Sequence, residues 1–144
     1  MESLSTSLKF FLNLSIVQVI AGRRMDAQLA SHGLSLNDFT ILCQLGAAPD
    51  EKLRRVDLAE KIGLTPSGVT RILSPLEKLG LVRREANSRD ARVSYVKLAP
   101  AGKRILNDSM ATAEAAAEQI LSGTKSKKVD EILKVLLELG GTVA

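Results

Sequence analysis

The break Gly63-Leu64-Thr65-Pro66 separates two short helical patterns, and its flanks leave few folds open. Upstream, Val56 to Ile62 puts Leu58, Ala59 and Ile62 on one face, and Gly63 follows where a helix C-terminus takes up positive φ without steric cost. Downstream, Thr65 is a side-chain N-cap, and Pro66 holds the first helical position, where its missing N–H removes no bond. This second helix continues through Val69, Ile72, Leu73, Leu76 and Leu79, one apolar stripe, and Gly80 closes it. Two helices joined by so tight a turn form a helix-turn-helix.

After Gly80 the apolar period shortens to two. Leu81 to Glu85 and Val93 to Leu98 read as strands, and the intervening Ala86 to Arg92 is too long and too charged for a tight turn. A strand pair with a protruding polar tip, directly behind a helix-turn-helix, makes a wing. Its span from 83 to 97 holds Arg83, Arg84, Arg89, Arg92 and Lys97 against Glu85 and Asp90, so it is basic. The flanks are helical. Residues 4 to 31 lack proline and predict one long helix stopped by Gly33, with a middle that is apolar nearly all round. A second helix runs from about Asn37 to Leu45, with Ser35 or Asn37 as N-cap, and Gly46 to Asp50 is a loop. Behind the wing, Ala101 to Leu121 and Ser126 to Leu139 are helices, the last with Val129, Ile132, Leu133, Leu136 and Leu137 on one stripe. The expected fold class is mainly α with a small β wing. A winged helix-turn-helix DNA-binding domain occupies 35–99, and N- and C-terminal helices at 1–34 and 100–144 form a helical dimerisation region.

Composition closes off other functions. Aromatic residues are 3% of the chain and Trp is absent, which leaves no stacking platform for single-stranded nucleic acid. One Cys and one His make neither a structural zinc site nor a disulfide framework, so no metal and no cofactor is expected, and the cytoplasm is the natural compartment. The apolar run Phe10 to Gly22 is too short to span a bilayer, holds Asn13, Ser15 and Gln18, and precedes Arg23 and Arg24 where a cleavage site would need small residues. Neither export nor a membrane partner is expected. Asp57, Glu60 and Glu77 lie scattered on amphipathic helices and read as solvated charges; with no catalytic set assembled, the chain is not read as an enzyme. Cys43 reads as a buried, inert thiol, and His32 as a terminal-turn residue meeting the helix dipole.

The edge of the second helix that the apolar stripe leaves free carries the function. Ser67, Gly68, Thr70 and Arg71 are small or polar, so the backbone can enter a major groove and side chains can meet base edges. An arginine there can bind guanine O6 and N7 together, and the helix N-terminus capped by Thr65 favours a phosphate. Arg83 and Arg84 flank the groove and suit phosphates, whereas Arg89 and Arg92 at the wing tip suit a narrow minor groove. A net charge of +4 agrees with an anionic partner. The alternative is a winged-helix protein-interaction module without a DNA target, which needs an apolar or acidic face where Ser67, Thr70 and Arg71 stand.

Residues 58–84, with Leu58, LTPSGVTRIL and LEKLGLVRR, and the wing string SRDARVSYVKLAPAG (88–102) resemble the multiple antibiotic resistance regulator (MarR) family, and the helical layout fits over almost the whole chain. The resemblance implies a homodimer interlocked through the first and last helices, with DNA affinity controlled by a small-molecule or redox effector. It also implies that Asp90 and Arg92 are the wing's Asp-x-Arg pair, Arg92 reaching a minor groove and Asp90 orienting it or a neighbouring arginine. Two residues depart from the pattern. Ala99 replaces the usual Thr of Leu-Thr-x-x-Gly and weakens a helix cap, and Pro75 predicts a bend inside the reading helix. The function expected is a homodimeric transcription regulator, a repressor released by an effector. It reads a pseudo-palindromic double-stranded operator with helix 66–79 in the major groove and wing 86–92 in the minor groove.

Overall fold

The computed structural model describes residues 2–144. Helix α1 (Thr6–Leu29) starts on Ser5, whose hydroxyl accepts from the Leu8 amide at 3.1 Å. It ends through one 3-10 turn (Ala30–His32), and Gly33 at φ 73° reverses the chain. Helix α2 (Leu36–Ala47) opens on a capping box: Ser35 Oγ accepts from the Asp38 amide at 3.1 Å, and the Asp38 carboxylate accepts from the Ser35 amide at 2.9 Å. Ser35, not Asn37, is therefore the cap. Asp26 of α1 accepts from the Leu36 amide at 2.7 Å and pins the corner between the two helices.

Helix α3 (Arg55–Ile62) ends at Gly63, φ 69°, and α4 (Pro66–Lys78) opens on Thr65, as the sequence predicts. Helix α4 runs on through Pro75 to Lys78. Helix α5 (Pro100–Ile120) has no side-chain cap at Ala99; Pro100 in its first turn instead removes one orphan donor. Helix α6 (Ser126–Glu138) closes the fold.

Strands β1 (Lys52–Arg54), β2 (Val82–Ala86) and β3 (Ser94–Leu98) form one antiparallel sheet in the order β1-β3-β2. The sequence reading has no β1. At three residues it is too short to show alternation, and it follows a turn in which Asp50 and Glu51 take φ 56° and 55°.

Ile41, Leu42 and Leu45 of α2, Leu58 of α3, Val69, Leu73 and Leu76 of α4, and Val82 and Val96 of the sheet are all buried in one core. That core holds the helix-turn-helix and the wing as a unit. The terminal helices are different. Leu29 is the only buried residue of α1, while Phe11, Ile16, Val17 and Ile20, like Ile132 of α6 and its C-cap Leu139, are more than half exposed. The apolar middle of α1 is thus left uncovered by its own chain. Among the described residues, no helix is long and apolar enough to cross a membrane.

Candidate nucleic-acid interface

The cap of α4 and its exposed edge lie together. Thr65 Oγ1 accepts from the Gly68 amide at 3.1 Å and sits 3.2 Å from Ser67 Oγ. A side chain at Gly68 would crowd that cap, since its Cβ would come within 3.3 Å of Thr65 Oγ1. Thr65, Ser67, Thr70 and Arg71 are exposed and Gly68 half-buried. Arg71 enters none of the ion pairs among the described residues. Thr70 is occupied: its hydroxyl donates to the Pro66 carbonyl at 3.0 Å and accepts from Arg55 Nη1 at 3.0 Å. A hydroxyl has one proton to give, so Thr70 cannot donate to a base while these bonds stand.

The wing tip is held by its own side chains. Asn87 Oδ1 accepts from the amides of Arg89 at 2.8 Å and Asp90 at 3.3 Å, a turn of the kind asparagine makes with its own backbone. Asn87 Nδ2 donates to the Tyr95 hydroxyl at 3.3 Å, tying the tip to β3. Asp90 Oδ1 accepts from the Arg92 amide at 3.0 Å and from Arg92 Nε at 3.2 Å, while Arg92 Nη2 reaches Oδ2 at 3.3 Å. These bonds hold the Asp90 carboxyl below the usual aspartate range, the Arg92 side chain more than its amide. The Arg92 side chain is nevertheless 91% exposed, and Arg89 is exposed beside it.

Arg83 and Arg84, read as a pair flanking the groove, lie on opposite faces of the sheet. Alternation along β2 puts Arg84 on the face of buried Val82, and Arg83 on the other with Glu85. On that outer face Lys52 Nζ lies 3.2 Å from Glu85 Oε1 and 4.9 Å from the centre of the Tyr95 ring. On the inner face Arg84 Nε donates to Glu77 Oε1 at 3.4 Å. Glu77 is therefore not the solvated charge the sequence suggested; with 23% of its side chain exposed, it also accepts from Arg55 Nη2 at 2.7 Å. Asp57 likewise has a partner, accepting from Arg54 Nε at 2.7 Å and Nη2 at 3.0 Å, which lowers its pKa.

Arg54 and Arg55 are the residues that sequence reasoning missed. They line a cleft with Arg92, Val93 and Ser94 between the start of α3 and the wing. The signal was present as a double arginine at the start of α3, but it lies outside the basic hairpin and joins it only through the β1–β3 pairing. Two further expectations change. His32 Nε2 lies 2.8 Å from Thr112 Oγ1, so it ties the end of α1 to α5 instead of merely facing a dipole. Cys43 is half-buried, not buried; burial and then the charge of Glu114 push its thiol pKa up, which keeps it protonated.

Residues 34–94 match the MarR family. The chain is 27% identical over 134 residues to the HTH-type transcriptional regulator MhqR of Bacillus subtilis, covering 93% of this chain and 91% of that one. It is also 27% identical over 133 residues to the HTH-type transcriptional repressor YetL of the same organism, covering 92% and 80%. The crystal structure of the transcriptional regulator BldR from Sulfolobus solfataricus has a TM-score of 0.84 and 26% identity, over 96% of this chain and 97% of that one. With the fold and its helix-turn-helix in place, residues 34–94 match the MarR family, and the chain along nearly its whole length is similar to transcription regulators of helix-turn-helix type.

Proposed function

We propose that this chain acts in the cytoplasm as a homodimeric, sequence-specific repressor that an effector releases from a pseudo-palindromic operator on double-stranded DNA. Residues 35–99 are the DNA-binding domain, and 1–34 with 100–144 the dimerisation region. Helix 66–79 lies in the major groove, where Ser67, Gly68 and Arg71 face base edges and the capped N-terminus at Thr65 faces a phosphate. Thr70 supports that edge from within. Arg83 and Arg84 serve phosphates, and the 86–92 wing enters the minor groove with Arg89 and Arg92.

Arg92 is the observation that carries this reading. Asp90 holds it at a loop tip, yet its side chain stays 91% exposed, an arrangement with little value for folding. A guanidinium so presented suits the negative potential of a narrow minor groove. Repression is supported by the name of YetL, and the dimer by the uncovered apolar faces of α1 and α6. An effector would find apolar walls in the cleft between α2 and α5, beside Cys43, Leu98, Leu106 and Met110.

Selection of bound duplexes from a random pool tests the proposal. The expected product is an inverted repeat with half-site centres about 10 bp apart, one per reading helix. Affinity for it should fall steeply with salt on a log–log plot. Enrichment of a single asymmetric site, or of no motif, overturns the reading.

A further inference from the structure

Arg55 opens α3 and reaches across to α4. Nη1 donates to Thr70 Oγ1 at 3.0 Å and Nη2 to Glu77 Oε1 at 2.7 Å, so one planar guanidinium spans two turns of the reading helix. The same oxygen of Glu77 accepts from Arg84 Nε of β2 at 3.4 Å. Arg55 and Glu77 keep only 20% and 23% of their side chains exposed, whereas Arg84 keeps 63%. Charge-assisted bonds with both partners largely out of water fix geometry more firmly than exposed pairs do. They also neutralise Arg55 at a place where a phosphate ligand would need its charge.

We propose that Arg55 is a positioning residue for sequence reading and not a phosphate ligand. By gripping Thr70 and Glu77 it sets the reading helix against α3, and through Glu77 it sets that helix against the first wing strand. Major-groove and minor-groove contacts then arrive in one fixed relation. Thr70 is the anchor point of this grip, and base reading falls to Ser67 and Arg71. The proposal deepens the regulator reading and rests on it.

The test uses the full chain, the selected operator and a random duplex, titrated over a salt series. Arg55→Ala should lower operator affinity roughly tenfold or more, the scale of losing hydrogen bonds to a charged group. Random-duplex affinity and the salt slope should stay as in the wild type. Arg55→Lys, which keeps the charge but not the planar fork, should lose nearly as much. Thr70→Val, an exposed change that leaves the core alone, should lose operator preference in the same direction. The Arg55→Ala/Thr70→Val pair should lose less than the sum of the two single changes. If affinity for both duplexes falls together and the salt slope drops by about one, Arg55 is a phosphate ligand and the proposal is overturned. Full operator affinity in Arg55→Lys, or strict additivity in the pair, overturns it as well. A wild-type chain that binds no duplex fails the regulator reading itself, a result distinct from either.

Discussion

Arg71 and Arg92 are both exposed arginines, but the chain treats them differently: Arg71 stands without an ion-pair partner among the described residues, whereas Asp90 grips Arg92. A carboxylate beside DNA is repelled by phosphates, so Asp90 makes sense where orienting a long side chain outweighs that repulsion. Asp90→Ala should therefore weaken operator binding although it removes a negative charge, and Arg92→Ala should weaken it most on A·T-rich flanks. Electrophoretic titrations of both variants at two salt levels check this, and tighter binding by Asp90→Ala ends the orienting role. The pair also has a pH signature. A carboxyl whose folded pKa is depressed contributes its interaction above its unfolded pKa and loses it as pH falls through the folded one. A carbon-13 titration should place Asp90 below the ordinary aspartate midpoint, and Arg92→Ala should raise that midpoint; an unmoved midpoint means the pair does not form in solution. Asp90 and Arg92 were legible through the resemblance, whose Asp-x-Arg motif names a pair two residues apart in one turn. Arg55 and Glu77 were not, since 22 residues separate them, and no sequence pattern says which polar residue of one helix meets which of another.

Caps and periodicity made the elements legible, while close approaches between elements stayed hidden. Ser35, Gly63, Thr65 and Pro66 punctuate the helices because each satisfies or removes a backbone group locally. Strand β1 is held by its partner β3, not by any preference of Lys52-Leu53-Arg54, so nothing local announced it. Gly102 is a second case. It lies in the first turn of α5, where a Cβ would collide with the carbonyl oxygen of Leu81 and come within 2.8 Å of Leu98 Cδ1. The same carbonyl accepts from the Ala99 amide at 3.0 Å, so α5 rests directly on the turn between α4 and β2. Alanine in place of glycine favours a helix by ~1 kcal/mol. Overpacking a tight contact costs about 1–3 kcal/mol, and here the obstacle is backbone, which yields less readily than a side chain. Gly102→Ala should therefore lower the thermal midpoint, and a rise would show that the turn shifts aside and helix propensity wins.

At the scale of the whole molecule, α6 is anchored at its far end but not covered. Thr142 Oγ1 donates to the Lys61 carbonyl of α3 at 2.6 Å and accepts from Gln44 Nε2 of α2 at 3.0 Å, so the chain after α6 grips the helix-turn-helix. Val135 of α6 and its C-cap Leu139 lie beside Phe10 and Phe11 of α1 around an apolar groove. Ile16, Val17 and Ile20 meanwhile expose 56%, 56% and 54% of their surface. An exposed apolar stripe of this extent is what an isologous interface between two copies buries, and two-fold symmetry then makes each copy contribute the same residues. The wild-type chain should show by light scattering a mass near twice 15.5 kDa. Val17→Glu combined with Ile20→Glu places four carboxylates at such an interface, two from each copy, without touching the buried core of the reading head. Their burial without partners costs several kcal/mol, enough to dissociate a dimer at micromolar concentration. The variant should keep its helical circular dichroism, scatter as a monomer, and bind the operator no better than an isolated half-site. If it retains the dimer mass, the α1 face is not the interface. If it is monomeric yet binds the full operator as the wild type does, dimer symmetry is not what the operator reads.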